Sequence, residues 1–258
     1  MKDIMLKTND LSYSIGDKEL IHKISLSVPK GSFVGLVGPN GSGKSTLLKT
    51  IYRANKASEG TIYLDGKSMD RMSNREMAKK FAVVTQENEI NFEFTVMEMM
   101  MTGRYAHHSI FSKRDYQDEK ICRDALKLVG MEKFADRNFL SLSGGEKQRV
   151  LIASAFSRET NLILLDEPTN HLDLGCQFMI MDLLRSKKDT TVFTSVHDLN
   201  MALKYCDSII VLKKGRIVAF GNTKEVLTEE LMKEVFRVRV KKIKENDGTE
   251  YFHYLGAI

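Results

Sequence analysis

Gly38-Pro39-Asn40-Gly41-Ser42-Gly43-Lys44-Ser45-Thr46 is the stretch that decides how this chain of 258 residues is read. It fits the pattern GxxxxGK[ST]. It directly follows an apolar run, Phe33–Val37, and precedes Leu47-Leu48-Lys49, a helix start. Strand, glycine-rich turn and helix are the context in which such a loop cradles phosphate. Glycines let the backbone wrap closely around oxygen atoms. Successive N–H groups and the helix N-terminus then point at the anion. Lys44 adds a positive charge for the β- and γ-phosphates, and the Ser45 hydroxyl is placed to ligate Mg²⁺. These residues imply a nucleotide site.

A second element supplies carboxylates. Leu162-Ile-Leu-Leu165 is a strand-like apolar run that ends in Asp166-Glu167. Acidic residues at the carboxyl ends of sheet strands sit where α/β proteins bind their ligands. Asp166 is expected to hold Mg²⁺, directly or through water, and Glu167 to act as general base on the attacking water.

The rest of the chain builds an α/β frame. Ile24–Val28, Phe33–Val37, Phe81–Thr85, Leu162–Leu165, Thr191–Ser195 and Ser208–Leu212 are short, β-branched runs, several separated by helix-like stretches. Continuous apolar strands alternating with helices argue for a parallel sheet covered on both faces. The first third is richer in strands, and Thr61–Asp65 ends in the turn signal Asp65-Gly66. From about 87 to 160 helical spacing dominates, as in Val96–Gly103 and Asp115–Val129, and predicts a helical insertion. Phe236–Lys244 alternates apolar and basic residues, turns at Asn246-Asp247-Gly248 and returns through Glu250–Leu255, so 241–258 reads as a terminal β-hairpin extension.

Composition sets the outer limits. At 42% hydrophobic and 28% charged the chain is too apolar to be disordered as a whole. A chain this long buries roughly 70–75% of its unfolded surface, enough to need no disulfide or metal staple. Its apolar runs fall far short of the roughly 18–20 residues of a membrane span. Met1-Lys2-Asp3-Ile4 opens no stretch of signal-peptide length. Lys and Arg total 39 against 34 Asp and Glu, a net charge of +5, which by itself does not choose between an anionic ligand, a membrane surface and nucleic acid. No aromatic-basic stripe accompanies it, so a nucleic-acid partner is not expected. Cys122, Cys176 and Cys206 are odd in number and far apart, as in reduced thiols of a cytosolic protein.

Leu142-Ser143-Gly144-Gly145-Glu146 lies one helix before the acidic strand. Together with the glycine-rich loop and Asp166-Glu167, in that order, it makes residues 1–240 resemble an ATP-binding cassette (ABC) ATPase. The resemblance implies a P-loop NTPase fold with a RecA-like parallel-sheet core, an antiparallel β subdomain and a helical signature subdomain. It implies that Gln86 touches Mg²⁺ and relays changes to a membrane partner. Ser143, Gly144 and Gly145 are similar to the signature that binds the γ-phosphate of ATP held by a second copy. Asn170-His-Leu-Asp173 resembles the loop that crosses that dimer interface, and His197 the switch histidine of the γ-phosphate.

Two positions depart from the family pattern. Ile15, before Gly16, stands where an adenine-stacking aromatic is usual. Tyr13, two residues earlier, would share its strand face under simple alternation. Ser154 stands where arginine is frequent.

A single cassette implies an ATP-sandwich dimer with two equivalent sites. Thr95-Val-Met-Glu98…Met101-Thr-Gly-Arg-Tyr-Ala-His107, the Pro168–Asp173 loop and the ending around Leu231–Val240 resemble the ATPases of iron-siderophore, haem and vitamin B12 importers. That implies permease subunits, an extracytoplasmic substrate-binding protein and a peripheral place on the cytoplasmic face of the inner membrane. The surface around Gln86–Arg104 is expected to receive a permease helix, with Met97, Met99, Met100 and Met101 packing that region rather than binding metal. A soluble, non-transport ABC ATPase and an exporter ATPase are the alternatives.

Overall fold

A computed structural model describes residues 3–85, 93–107, 116–170 and 172–258. In chain order its main elements are β1 (Ile4–Ile15), β2 (Lys18–Pro29), β3 (Phe33–Val37), α1 (Lys44–Ile51), β4 (Glu59–Leu64) and β5 (Lys67–Ser68). Then come α2 (Asn74–Ala78), β6 (Phe81–Val84), α3 (Val96–Thr102), α4 (Tyr116–Leu128), α5 (Gly144–Ser157), β7 (Leu162–Leu165) and α6 (Leu174–Ser186). The chain closes with β8 (Thr191–Ser195), α7 (Leu199–Tyr205), β9 (Ser208–Lys213), β10 (Arg216–Asn222), β11 (Val238–Lys244) and β12 (Glu250–Ala257). These fall into two compact units, residues 1–71 with 191–258, and residues 72–190.

In the first unit β3 is the hub. It lies parallel to β8 on one side and to β9 on the other, and β10 closes against β9 antiparallel. Every residue of β3 and β8 is buried, which is why both read as unbroken apolar or small runs rather than alternating ones. A separate antiparallel sheet runs β2-β1-β4-β5. Asp65 (φ +50°) and Gly66 (φ +75°) make its tight turn between β4 and β5, the left-handed pair a two-residue hairpin needs. β1 and β2 are paired over twelve residues each, with register shifts that include one between Tyr13 and Ser14. The extra residue at that step is Leu20 of β2, so β1 itself runs without insertion from Tyr13 to Ile15. β11 and β12 pair antiparallel. β11 starts at Val238 rather than at Phe236, because Arg237 takes a left-handed conformation (φ +58°) that ends the preceding helical turn.

In the second unit β6 and β7 run parallel, and helices lie between them in sequence. α3 and α5 begin with reciprocal caps, Thr95 with Glu98 and Ser143 with Glu146. Val96, Met97, Met100 and Met101 of α3 pack with Leu126 of α4 and Val150 of α5 in one apolar cluster. The methionines are therefore core of this unit, each contributing about 1.5–3 kcal/mol by burial.

Among the described residues of this unit a buried ion pair joins α4 to the end of α3. Arg104 and Asp118 are 6% and 3% exposed. Arg104 Nε donates to Asp118 Oδ1 at 2.9 Å, while Nη1 donates to Ser157 O at 2.6 Å and to Glu159 Oε2 at 2.9 Å. Removing one member of such a pair strands the other charge away from water. Asp118→Ala should therefore lower the unfolding free energy by about 3 kcal/mol in urea denaturation. Removing Glu119, which pairs with Arg123 on the surface, should barely move the midpoint.

Candidate nucleotide site

The first unit carries the phosphate cradle. β3 delivers the chain at Val37 and α1 receives it at Lys44. Gly43 is left-handed at φ +104° and caps α1, leaving the first amides of the helix as its exposed donors. A Cβ on Gly38 would sit 2.1 Å from Leu212 O and 2.6 Å from Ser42 Oγ, so the loop presses directly on β9. A Cβ on Gly43 would lie 3.0 Å from Ile21 Cδ1 of β2. The Gly215 N–H donates to Ser42 O at 2.8 Å and fixes the loop from the β9–β10 turn. Pro39 O accepts from the Ser42 N–H at 3.1 Å. Asn40 and Gly41 are exposed, and a side chain at Gly41 would meet nothing within 4 Å.

The residues fit a phosphate chain. Lys44 is only 5% exposed, with Nζ donating to Gly38 O at 3.0 Å, so its charge is drawn back over the loop. Ser42 Oγ is buried with no hydrogen-bond partner among the described residues. Ser45 and Thr46 follow on the first turn of α1, half-buried. His197 comes to the same edge of the same sheet. It follows β8, whose Ser195 is in register with Leu36 of β3, and the Val196 N–H donates to Leu36 O at 3.0 Å. His197 is exposed. Ile15 is 61% exposed at the β1–β2 turn beside Gly16.

The second unit carries the acidic and signature groups. The Asp166 N–H donates to Val84 O at 2.9 Å, extending the β6–β7 ladder by one residue, and the Asp166 side chain is buried. Glu167 stands at φ +50°, a conformation costing a non-glycine residue about 1–3 kcal/mol that recurs where function holds it. The Asn170 amide donates to Glu167 Oε2. Ser143 and Gly144 are exposed at the start of α5, and Ser143 Oγ accepts from the Glu146 N–H at 3.4 Å. The Ser143 N–H in turn holds the Glu146 carboxyl below its usual range. Asp173 caps α6, and the Cys176 N–H lowers its pKa. Gln86 and His171 lie outside the described residues.

Sequence reading passed over the supports. Gln148 Nε2 donates to Pro168 O at 2.9 Å, and a Cβ on Gly145 would lie 3.6 Å from Leu172, so the signature helix holds the loop that follows Glu167. Gln148 stands one turn into α5, where its long amide could have been suspected. Gly215 carried no signal beyond its glycine.

A parallel-stranded core bearing this cradle, an antiparallel sheet in the same unit and a second, helical unit are the parts of the P-loop NTPase architecture of an ABC cassette. The ABC transporter family model matches residues 21–170. The chain is 39% identical over 236 residues to the iron(3+)-hydroxamate import ATP-binding protein FhuC of Bacillus subtilis (strain 168), covering 90% of this chain and 88% of that one. It is 37% identical over 235 residues to the hemin import ATP-binding protein HmuV of Rhodococcus jostii (strain RHA1), covering 90% and 80%. Among solved structures it superposes on the ATP-binding cassette MJ0796, in a dimeric post-hydrolysis state bound to ADP and Pi. The TM-score is 0.76 and the identity 29%, over 85% of this chain and 99% of that one. The chain belongs to the ABC transporter family, and it is an ATPase of that family.

Lys44→Ala should weaken nucleotide binding itself, by about 10- to 100-fold, in a titration with ATP followed by calorimetry.

Proposed function

We propose that this chain powers uptake of an iron chelate, a siderophore complex or haem, through partner permease subunits. The observation that carries the reading is the run of relatives at 32–39% identity over some 90% of the chain, among them the import ATP-binding proteins FhuC and HmuV. The working unit is a dimer of two copies with permease subunits, fed from outside by a substrate-binding protein. It lies peripherally on the cytoplasmic face of the membrane. In keeping with a separate anchor, no helix among the described residues is long and apolar enough to cross a bilayer.

Lys44 and the loop amides bind the β- and γ-phosphates. Ser45, Asp166 and Gln86 are the residues that would hold Mg²⁺, which supplies charge neutralisation to the phosphates. Glu167 takes a proton from water as its oxygen bonds to the γ-phosphorus and the β–γ bridging bond breaks, leaving ADP and Pi. Its carboxylate is aimed by the Asn170 amide. His197 contacts the γ-phosphate, Ile15 packs on adenine by apolar contact alone, and Ser143, Gly144 and Gly145 reach the nucleotide of the other copy. Asp173 lies at the copy-to-copy contact.

A groove of about 400 Å³ lined by Thr95, Met97, Met101, Tyr116 and Arg123 supports a docking place for a permease helix on the helical unit. Methionine suits an adaptable groove.

Glu167→Gln should keep ATP binding, lower hydrolysis by at least about 100-fold and trap an MgATP dimer visible by size-exclusion chromatography. Normal turnover would contradict the role given to Glu167. Tyr116→Asp, at a side chain 84% exposed, should abolish uptake of labelled chelate in cells while leaving basal hydrolysis intact. Unchanged uptake would refute the docking place.

A further inference from the structure

The C-terminal hairpin has no part in the chemistry described so far, yet it grips one particular place. Phe252 of β12 stands opposite Lys242 of β11. Its backbone turns away from that partner: the Phe252 N–H donates to Asn200 Oδ1 at 2.7 Å, and Phe252 O accepts from Asn200 Nδ2 at 3.2 Å. The asparagine amide thus pairs with the strand as a third strand's peptide would. The Phe252 side chain is 2% exposed, so the contact is anchored by a buried ring. On the other edge the Lys242 N–H donates to Glu229 Oε1 at 2.7 Å, which fixes the hairpin to the body of the unit.

Asn200 lies in the first turn of α7, three residues after His197. Asp198 caps that helix, accepting from the Asn200 N–H at 2.8 Å and the Met201 N–H at 3.3 Å. Burial and then the Asp198 carboxylate push the phenol of Tyr254, two residues beyond Phe252, above its usual range. The far end of α7 is held independently. The Asp207 N–H donates to Phe33 O at 2.8 Å, and Asp207 Oδ2 accepts from the Phe33 N–H at 2.9 Å. On the strand side, Val196 is bonded to Leu36. Only His197 and Asp198 lie between Val196 and the first residue of α7, and those three steps of chain span no more than about 11 Å. The position of the α7 N-terminus therefore sets where His197 can be.

From this arrangement we infer that Asn200, clasped by the backbone of Phe252, is a positioning residue for His197, and that the C-terminal hairpin is the brace that holds the switch histidine in register for hydrolysis. This rests on the reading of His197 as the γ-phosphate switch.

The test is ATP turnover by the full-length chain at saturating MgATP. Asn200→Ala should lower kcat about tenfold with KM for ATP unchanged, as expected when a catalytic group is displaced without loss of ground-state binding. The same substitution in a His197→Ala background should leave the residual rate unchanged, since its effect passes through His197. Asn200→Asp, nearly the same size, still accepts from the Phe252 N–H but cannot donate to its carbonyl, and should fall between. If Asn200→Ala does not fold, Asn200→Asp carries the test by its intermediate kcat. A folded Asn200 variant with wild-type kcat, or an equal loss with and without His197, overturns the inference. A fully active His197→Ala overturns the reading beneath it, and does so without reference to Asn200.

Discussion

No side chain fits at Gly38, and the first unit is arranged around that fact. The loop lies so close to β9 that a Cβ there would stand 2.1 Å from Leu212 O. The approach is matched from the opposite end. Gly215, left-handed at φ +71°, would place a Cβ 2.1 Å from Leu20 O, and it bonds both Ser42 O and the His22 N–H. One glycine turn thus ties the phosphate loop to β2 of the antiparallel sheet. That sheet is part of the nucleotide apparatus through backbone contact, independent of its own side chains. Two close approaches of main chain to main chain and the two hydrogen bonds of Gly215 hold the loop's backbone in place, the preorganisation that phosphoryl transfer draws on.

The same geometry explains what could be read from residues alone. β3, β7 and β8 were legible because strands covered on both faces show as unbroken apolar or small runs. The glycine-rich turn between β3 and α1 and the acidic pair closing β7 could be located from residues alone because each stands at a strand end with particular residue types at fixed spacing. β1 and β2 were not fully legible. Only Ile24–Val28 stood out of a strand running from Lys18 to Pro29, since bulges with Asp10 and Lys23 at φ +46° shift the period. Gly215, Gln148 and Asn200 escaped because their partners are backbone atoms remote in sequence, and a backbone atom leaves no mark on composition or spacing.

Ser154 finds a physical setting in the second unit. It is buried in α5, and its Oγ lies 3.2 Å from where a Cβ of Gly103 would stand, as does Arg158 Nε. A small residue at 154 and a glycine at 103 let the end of α3 close on α5. An arginine projecting from 154 would occupy that space. Positive charge enters instead from the end of α3. Arg104 donates to Ser157 O at the last turn of α5, where the helix carbonyls favour a cation, and is neutralised by Asp118. The departure at 154 is thus accompanied by a charge brought in from a neighbouring element.

The helical unit joins its two proposed contacts by packing alone. The groove residues Met97 and Met101 are core residues of α3. Leu142, directly before the signature Ser143, belongs to the same apolar cluster, as does Val150 of α5. A close-packed core of this kind is nearly incompressible. A push on the groove therefore cannot be absorbed locally by sliding α3 against α5 without opening voids along Val96, Met100 and Val150. Nor can the signature turn away freely, since Gln148 holds Pro168 and Gly145 packs close to Leu172. A permease helix seated in the groove and a nucleotide held at Ser143 would thus act on one body. Coupling between them then requires no chain of switching side chains, only that the unit move as a whole, the shear or hinge displacement by which packed domains ordinarily change state.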